Sequence, residues 1–477
     1  MAQINSNVGA LIANTNLAKS QSALSTSLQR LSSGLRINSG ADDPSGLIAS
    51  ESLKSEIQGV TTAIDNSTRA TNVIATADGA LTEVNNLLVS IKSLVVQAAN
   101  TGAMSADEIA ANQLQVDSAV ASITRISNAT SFAGLNLLDG SLGYISSGVT
   151  TSAVHDLNVQ NAAFGTASSV PVVVNVIASA RTAQLEFKAS AITASISLQV
   201  QGTTGVQVLN FTSGAKSSAI AFAINQVSDS TGVQASVNSA TNASSGITFS
   251  STGYGSNQFV SVTIVGSGTG NFATTTTAGT AATRTTGQDV AANINGAKAT
   301  GNGLNISLNT PSLSLSLNLD PHFGVGTEKF TLKGGGAVFQ LGSQVASNQQ
   351  VSIGIGSVSA SNLGSFNTGY LSDIVTGGSA SLSNNPSKAS QIVDAAITQV
   401  SDIQGRLGAF QQNTLQTNIN SLQIALENVT SAQSDIADVN FASETSNMTR
   451  AQILVQAGTS VLAQANQTPQ YVLKLLQ

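Results

Sequence analysis

The 477-residue sequence contains no cysteine and no tryptophan, and it is poor in charged and aromatic side chains. Without cysteine, disulfide bonds, thiolate metal sites and cysteine nucleophiles are excluded. Charged residues make up only 9% of the chain, whereas globular proteins typically contain about 25%. The net charge is −6 and no basic run occurs, so no nucleic-acid partner is predicted, because nucleic acids require clustered Lys and Arg. The two histidines, His155 and His322, lie far apart in the sequence and are expected to be surface residues, so no metal or cofactor is predicted.

Two kinds of targeting segment are also missing. The first cation is Lys19, and the residues before it contain no basic n-region and no uninterrupted apolar h-region, which argues against a cleaved Sec signal. No run approaches the ~18 apolar residues of a membrane-spanning helix, so no membrane partner is predicted. The length, in contrast, is sufficient for several domains, because a single core rarely grows beyond ~250–300 residues.

Helical periodicity marks both ends of the chain. Residues 1–140 carry leucines at the three- and four-residue spacings of a coiled-coil seam, at Leu17, Leu24, Leu28, Leu31 and Leu35. A break is predicted at 38–46, where Gly, Asp and Pro stop one helix and start another. Residues 391–477 show the same spacings, first at Leu415, Ile419, Leu422 and Leu426, and after a weaker break at Met448, Val455 and Leu462.

The middle of the chain, 141–390, has a different character. It is rich in Ser, Thr, Gly and Val and contains alternating runs such as SISLQVQG at 195–202 and SLSLSLNLD at 312–320. A period of two is typical of strands, and the Gly and Asn clusters between the runs supply turns. We therefore predict an α+β multidomain fold. Its N- and C-terminal helices pair as an elongated coiled-coil bundle around a β-rich insertion of one or two subdomains.

The C-terminal stretch contains more apolar residues than one partner helix can cover. One stripe is expected to meet the N-terminal helix, at Met448, Val455 and Leu462. A ridge of small residues is expected to meet neighbouring subunits together with Val461, at Ala451, Gly458 and Ala465. Pro469 is expected to disturb the helix near its end. Because exposed apolar surface of this extent marks an interaction site, the stretch predicts self-assembly.

Three long segments resemble the signatures of bacterial flagellins. They are LSSGLRINSGADDPSGLIASESL at 31–53, DGALTEVNNLLVSIKSLVVQAAN at 78–100 and SNMTRAQILVQAGTSVLAQANQTPQYVLKLLQ at 446–477. The resemblance implies a structural subunit that polymerises with itself into the extracellular flagellar filament. It also implies unfolded export through the flagellar type III apparatus, with an export chaperone, hook-associated proteins and a cap protein as further partners.

The resemblance also divides the chain into domains. It implies inner-tube helices at 1–40 and 438–477, a surrounding helical layer at 41–140 and 391–437, and an outer variable region at 141–390. Within that region, 221–266 looks like the "IN" module of some flagellins and hook-associated proteins, so a module is expected at about 195–266.

One feature implied by the resemblance is altered in this sequence. Many flagellins present a helical patch containing Arg and Glu to an innate immune Toll-like receptor. Lys92, Leu94 and Gln97 are compatible with that patch, but Ser90 and Ser93 stand where Arg and Glu are usual, and Gln115 replaces another Glu. Losing a bidentate arginine removes a strong charge-assisted contact, so weak receptor activation is expected.

Three alternatives remain open from the sequence. Asp42, Asp43 and Glu51 could act as acid and base groups, but they lie around a Gly-Pro turn where Asp normally caps helices, so no enzyme is predicted. A hook–filament junction protein would share the helical ends and is the main alternative. An adhesin or carbohydrate-binding module in the β-rich region is the third.

Overall fold

A computed structural model describes residues 7–165, 167–238, 246–266 and 270–475, with side chains as far as Gln467. The described chain forms two compact units. The first comprises 7–69, 340–345 and 414–475, and the second lies within 70–339 and 346–413.

The helices of the described residues lie at both ends of the chain, with two short ones in the middle. They are α1 (Val8–Ser33), α2 (Pro44–Ala98), α3 (Ala106–Ala129), α4 (Ser217–Asn225), α5 (Ser228–Thr231), α6 (Pro386–Ala409), α7 (Thr417–Ala437) and α8 (Phe441–Leu475). A π-helical segment, Phe410–Gln416, joins α6 to α7.

Local sequence explains where these helices begin and end. The Asn7 side chain caps α1 by accepting a hydrogen bond from the Ala10 amide at 3.0 Å. Gly34 ends the helix at a φ of 73°, a left-handed conformation that glycine adopts without strain. The predicted break at 38–46 falls between α1 and α2. The helix α8 continues past Pro469 to Leu475, so this proline does not end it.

The strands occupy the middle of the chain. They are β1 (Ser131–Phe132), β2 (Leu135–Asn136), β3 (Tyr144–Ser147), β4 (Val154–Ala162), β5 (Val170–Ala178), β6 (Thr182–Phe187), β7 (Ile196–Gln201), β8 (Val206–Phe211), β9 (Val233–Val237), β10 (Ile247–Tyr254), β11 (Phe259–Val265), β12 (Thr274–Thr276), β13 (Arg284–Thr286), β14 (Ala291–Ile294), β15 (Ala297–Lys298), β16 (Thr300–Asn302), β17 (Asn305–Asn309), β18 (Leu313–Leu319), β19 (Gly326–Gly335), β20 (Ala337–Gln340), β21 (Gln350–Ile353), β22 (Gly364–Ser365) and β23 (Gly369–Tyr370).

The first unit is built on the pairing of α1 with α8. At the end of this pair, two backbone hydrogen bonds join the segment that follows α1 to the segment at the end of α7. The Arg36 amide donates to the Ala437 carbonyl at 2.7 Å, and the Val439 amide donates to the Gly34 carbonyl at 3.0 Å. The Asn418 side chain of α7 donates to Ser67 of α2 at 3.1 Å. The two backbone bonds satisfy the Ala437 and Gly34 carbonyls, which the ends of α7 and α1 would otherwise leave unpaired.

The helical part of the second unit packs α2, α3 and α6 along buried apolar stripes. On α2 the stripe continues at three- and four-residue spacings through Ile74, Ala77, Leu81, Val84, Leu88, Ile91 and Val95. Val116, Val120 and Ile123 of α3 are also buried, as are Ile392, Val400 and Leu407 of α6. Buried residues three and four positions apart thus form one face of each helix.

Two β cores occupy the rest of the second unit, and both consist of antiparallel sheets. The first lies between the sheets β15-β14-β5-β19-β3 and β16-β17-β18-β4. The alternation of SLSLSLNLD becomes alternating burial in β18, where the leucines face the core and the serines do not. Each buried leucine contributes about 1.5–3 kcal/mol of hydrophobic stabilisation.

The second core is inserted between β5 and β14. It lies between the sheets β12-β6-β10-β9 and β13-β11-β7-β8, with α4 packed against it through Ile220 and Ile224. Its residues come from 183–272, a longer segment than the module expected at about 195–266. Arg181 and Gln288 exchange backbone hydrogen bonds of 2.8 and 2.9 Å where the chain enters and leaves. The helical ends and the β-rich insertion confirm the predicted α+β multidomain fold.

Candidate assembly surface

The seam between α1 and α8 consists mainly of small and polar side chains. On α1 the buried and half-buried positions at seam spacing are Ala10, Ala13, Leu17, Ser20, Leu24, Ser27 and Leu31, and Thr26 and Arg30 are half-buried beside them. Those of α8 are Glu444, Met448, Ala451, Val455, Gly458, Leu462 and Ala465. Both sets alternate by three and four residues, as coiled-coil positions do.

The small residues of α8 belong to this seam. Ala451 is buried, a Cβ on Gly458 would lie 3.3 Å from Leu17 Cδ1, and Asn7 Nδ2 donates to the Ala465 carbonyl at 2.8 Å. The expectation that the ridge meets neighbouring subunits is therefore wrong. Its spacing is that of the Met448 stripe, and small residues bring the two helices of one chain close together.

The predicted packing residues fall into three groups. Leu17 and Leu415 are buried. Half-buried residues form the second group, which contains Leu24, Leu31, Ile419, Leu422, Leu426, Met448, Val455 and Leu462. Leu28, Leu35 and Val461 are exposed. Ser27 lies three residues after Leu24 and Leu28 lies four residues after it, so both fit the alternation. The structure buries Ser27 and leaves Leu28 exposed.

A polar network replaces leucine at the buried position of Ser27. The Ser27 hydroxyl donates to Glu444 at 2.5 Å, and both residues are buried. Arg30 lies 3.9 Å from Glu444 and 3.7 Å from Asp42. Sequence reasoning missed this network, although both residues lie at seam spacing. A buried polar pair permits one register of two helices and penalises others, because a shifted register would leave the carboxylate unpaired.

Large apolar side chains outside the seam remain exposed on both helices. We call this set the outer apolar stripe: Val8, Leu11, Ile12 and Leu28 of α1, and Phe441, Ile453, Leu454 and Val461 of α8. Their exposed fractions lie between 49% and 67%. An open groove of about 780 Å³ runs along α8 past Phe441, Arg450, Ile453 and Leu454. Apolar surface of this extent is typical of protein–protein interfaces.

The carboxylates considered as catalytic groups hold the turn before α2. Hydrogen bonds from Ser39 lower the pKa of Asp42, and those from Gly46 and Ser45 lower the pKa of Asp43. The Glu51 side chain is 62% exposed and lies 3.7 Å from Lys54. Asp42 and Asp43 thus act as acceptors for backbone amides, the ordinary role of aspartate in turns and caps.

The residues of the receptor patch lie on α2. Ser90 and Gln97 are exposed, and Lys92 and Leu94 are half-buried. The Lys92 ammonium group binds the Asp394 carboxylate and donates to the Ser390 hydroxyl at 2.7 Å. The charge of Lys92 is therefore already paired within the chain.

The two histidines approach one carboxylate, although only His322 is the surface residue that was expected, with its side chain 95% exposed. His155 Nε2 lies 3.2 Å and His322 Nδ1 lies 3.1 Å from the oxygens of Asp320. His155 is only 17% exposed and stacks on Phe366 with 3.6 Å between ring centroids. Strand pairing between β4 and β18 brings His155 to Asp320, and their sequence separation gives no sign of it. His322 lies two residues after Asp320 and reaches it locally.

Neither a metal-binding cluster nor a membrane-spanning helix is present among the described residues. Within them, no cluster of three or more His, Asp or Glu side chains has the arrangement of a metal site. None of the helices in the same ranges is both long and apolar enough to cross a membrane.

Comparisons with known proteins agree with the geometry. The family model of the bacterial flagellin N-terminal helical region matches residues 4–142, and that of the C-terminal helical region matches residues 390–476. A flagellin of Salmonella rubislaw is 32% identical over 516 residues, with 100% of both chains covered. A flagellin of Salmonella typhimurium is 32% identical with the same coverage, and a B-type flagellin of Pseudomonas aeruginosa is 33% identical with 99% of both chains covered. The chain belongs to the bacterial flagellin family.

Proposed function

We propose that this chain is a structural subunit that polymerises with copies of itself into the extracellular bacterial flagellar filament. The observation that carries the proposal is the outer apolar stripe on the α1–α8 pair. The seam of that pair buries mostly small side chains, so the pair gains little hydrophobic stabilisation by itself. Copies of the same pair packed around it would cover the stripe and add the missing burial.

The hook–filament junction protein remains the alternative assignment. A junction protein would be present in few copies and would not form long polymers. End-to-end similarity to proteins named flagellin favours the filament subunit. Purified chain that elongates filament seeds into long filaments would support this assignment, and capping of the seeds without elongation would favour the junction role.

The domain division follows from the same proposal. The helices at 1–40 and 438–477 would form the inner tube, 41–140 and 391–437 the surrounding layer, and 141–390 the outer region. The lack of cysteine suits export of an unfolded chain through the type III apparatus, since no disulfide must form before transit. Hook-associated proteins, a cap protein and an export chaperone would be the remaining partners.

Weak recognition by a Toll-like receptor is also proposed. The support is the serine at position 90 and the ion pair that engages Lys92 with Asp394. A reporter-cell assay would show potency well below that of a strongly activating flagellin, and equal potency would contradict the proposal.

One substitution tests the assembly surface. Val461→Asp places a charge on the outer apolar stripe while leaving the α1–α8 seam untouched, since Val461 is 57% exposed. We expect the variant to keep the far-ultraviolet circular dichroism of the parent chain and to lose seeded polymerisation, because assembly would bury an unpaired carboxylate.

The matched control is Val265→Asp in the β-rich region, where the valine is 44% exposed. It should polymerise normally. Normal filaments from Val461→Asp would exclude the stripe as an assembly surface, and loss of polymerisation by Val265→Asp would contradict the domain division.

A further inference from the structure

A polar cavity opens in the second unit and has no role in the proposed assembly. Its volume is 610 Å³, which lies within the range of about 300–1,000 Å³ found for small-molecule sites. The turn after β2, the beginning of β4, the segment 356–364 and Gln399 of α6 form its walls.

Several lining side chains offer hydrogen-bonding groups that the protein itself does not use. The amides of Asn128 and Asn158 make no hydrogen bond to any other described side chain or backbone group. The Asn362 carbonyl oxygen accepts from Ser359 and Ser361, each at 3.0 Å, and its amide nitrogen has no acceptor within the described ranges. Asn158 is half-buried, whereas Asn128 and Asn362 are exposed. Buried polar groups normally find partners, so the amide of Asn158 is the group whose hydrogen bonds a ligand or an ordered water would complete, while the other two amides are open to solvent.

The wall that carries Asn158 is held in place by Asp156. Its carboxylate accepts hydrogen bonds from the Tyr370 hydroxyl at 2.6 Å, the Phe366 amide at 2.7 Å and the Asn318 side chain at 2.9 Å. Burial, followed by the hydrogen bond to Asp156, raises the pKa of Tyr370, so the phenol stays a donor. The wall is therefore fixed before any ligand arrives, which lowers the entropic cost of binding.

The charges of the lining exclude several ligand classes. Asp139 and Asp156 line the cavity, and no Lys or Arg does so among the described residues. Hydrogen bonds from Ser141 and Asn136 lower the pKa of Asp139, so it is ionised at neutral pH and repels anions. The oxygens of both carboxylates already accept N–H or O–H donors, which leaves a bare metal cation few ligands. Apolar ligands would desolvate the amides without replacing their hydrogen bonds.

We propose that this cavity binds an uncharged, polyhydroxylated ligand, such as a single sugar unit, through Asn128, Asn158 and Asn362. Each hydroxyl group of such a ligand donates one hydrogen bond and accepts others, which matches a wall of amides, serine hydroxyls and carboxylate oxygens. The cavity has room for one ring with its ordered waters.

Saturation-transfer difference NMR on the full chain tests the proposal. The neutral probes are methyl β-glucoside, methyl β-galactoside and methyl β-N-acetylglucosaminide, and glucuronic acid is the anionic probe. We expect saturable binding of at least one neutral probe, with glucuronic acid at least ~10-fold weaker because of the two carboxylates. Saturable binding of none of the neutral probes, or equal binding of glucuronic acid, would overturn the proposal.

Asn158→Leu replaces the free amide by an apolar group with the same number and branching of heavy atoms, and it should abolish binding. Asn175→Leu, at an exposed asparagine on β5 outside the cavity, is the matched control and should bind as the parent chain does. If Asn158→Leu unfolds at a lower temperature than the parent, Asn128→Leu on the exposed side of α3 replaces it. Undiminished binding by a folded cavity variant would refute the site.

Two further measurements separate related outcomes. A free monosaccharide and the terminal unit of a glycan chain share the same chemistry. Equal affinity for a monosaccharide and its methyl glycoside would indicate that a chain-terminal unit fits, and binding of the monosaccharide alone would indicate a free sugar. Seeded polymerisation of Asn158→Leu should be normal, so a failure of the sugar site is distinguishable from a failure of the filament proposal.

Discussion

Gly458 controls how closely α8 approaches α1. A Cβ at this position would lie 3.3 Å from Leu17 Cδ1, a distance that requires a small adjustment of a flexible side chain. A larger group at the same position would displace Leu17 or separate the helices. Glycine is otherwise unfavourable in a helix by about 1 kcal/mol relative to alanine. Close packing against Leu17 is the physical reason that a glycine is suitable here.

Gly458→Leu is therefore expected to weaken the assembled state, whereas Gly458→Ala should be nearly neutral. Overpacking costs about 1–3 kcal/mol, while alanine gains helix propensity that offsets its tighter contact. The measurement is the temperature at which seeded filaments of each variant depolymerise. Equal depolymerisation temperatures for the leucine and alanine variants would show that Gly458 does not face Leu17 in the assembled protein.

The π-helical segment Phe410–Gln416 accommodates an unusual spacing of buried side chains. One row of buried and half-buried positions here advances by four residues each time, from Ile403 through Leu407, Gln411 and Leu415 to Ile419. In an α-helix each residue advances by about 100°, so a step of four residues exceeds a full turn by about 40°. The four steps from Ile403 to Ile419 would therefore rotate the buried position by roughly 160° around the helix. A π turn bonds each residue to the fifth along and holds more residues per turn, which cancels most of that drift. The element thus accommodates one extra residue in a regular seam.

Deletion of Gln412, an exposed residue of this segment, should be tolerated. It removes the extra residue, so the segment can become α-helical while Leu415 and Ile419 stay on the buried face. We expect a thermal unfolding midpoint within about 4 °C of the parent, the change that ~1 kcal/mol produces in a domain of 150–250 residues.

The control is deletion of Asn428, an exposed residue of regular α7. That deletion rotates Val429 and Ile436 by about 100° away from their buried face and should cost on the order of 3 kcal/mol. Equal destabilisation by the two deletions would contradict the assignment of an extra residue to the π segment.

Stability of the whole molecule depends on many carboxylates that cap turns. Asp289 is an example, located where the chain leaves the second β core. Its Oδ1 accepts hydrogen bonds from the Ser256 amide at 2.9 Å and the Gly303 amide at 2.8 Å. Burial raises the pKa of Asp289, but hydrogen bonds from Ser256 and Gly303 outweigh burial and lower it overall. The pKa of Asp320 is lowered mainly by the His322 amide, and burial of Asp117 is outweighed by hydrogen bonds from Thr376 and Gln113.

Acid is therefore expected to destabilise the fold. A carboxyl whose pKa is depressed by folding stabilises the folded state above its unfolded pKa, about 3.9 for Asp, and loses that contribution as the pH falls through its folded pKa. Thermal unfolding midpoints should be similar at pH 7 and 5 and clearly lower at pH 3. Asp289→Asn should be less stable at pH 7 and should lose less stability on acidification than the parent. An increase in stability between pH 5 and 3 would contradict these assignments.

Spacing alone was sufficient to predict the helical ends, the β-rich middle and the break at 38–46, because each depends on neighbours within one or two turns of chain. The three long signatures identified the family because each is a continuous stretch that can be compared directly in the sequence. The seam was predicted less well. Leu28 and Ser27 satisfy the same alternation, and only packing against α8 decides which of them is buried.

Contacts between distant residues lay beyond the sequence. The Ser27–Glu444 pair, the approach of His155 to Asp320 and the polar cavity around Asn158 each join segments more than a hundred residues apart. The sequence by itself determined the periodicities, the breaks and the surplus of apolar residues at the ends. Only the tertiary structure decided which of those residues α1 and α8 bury in each other and which remain exposed. The physical reason is that burial depends on the partner surface, and periodicity specifies a face without specifying what covers it.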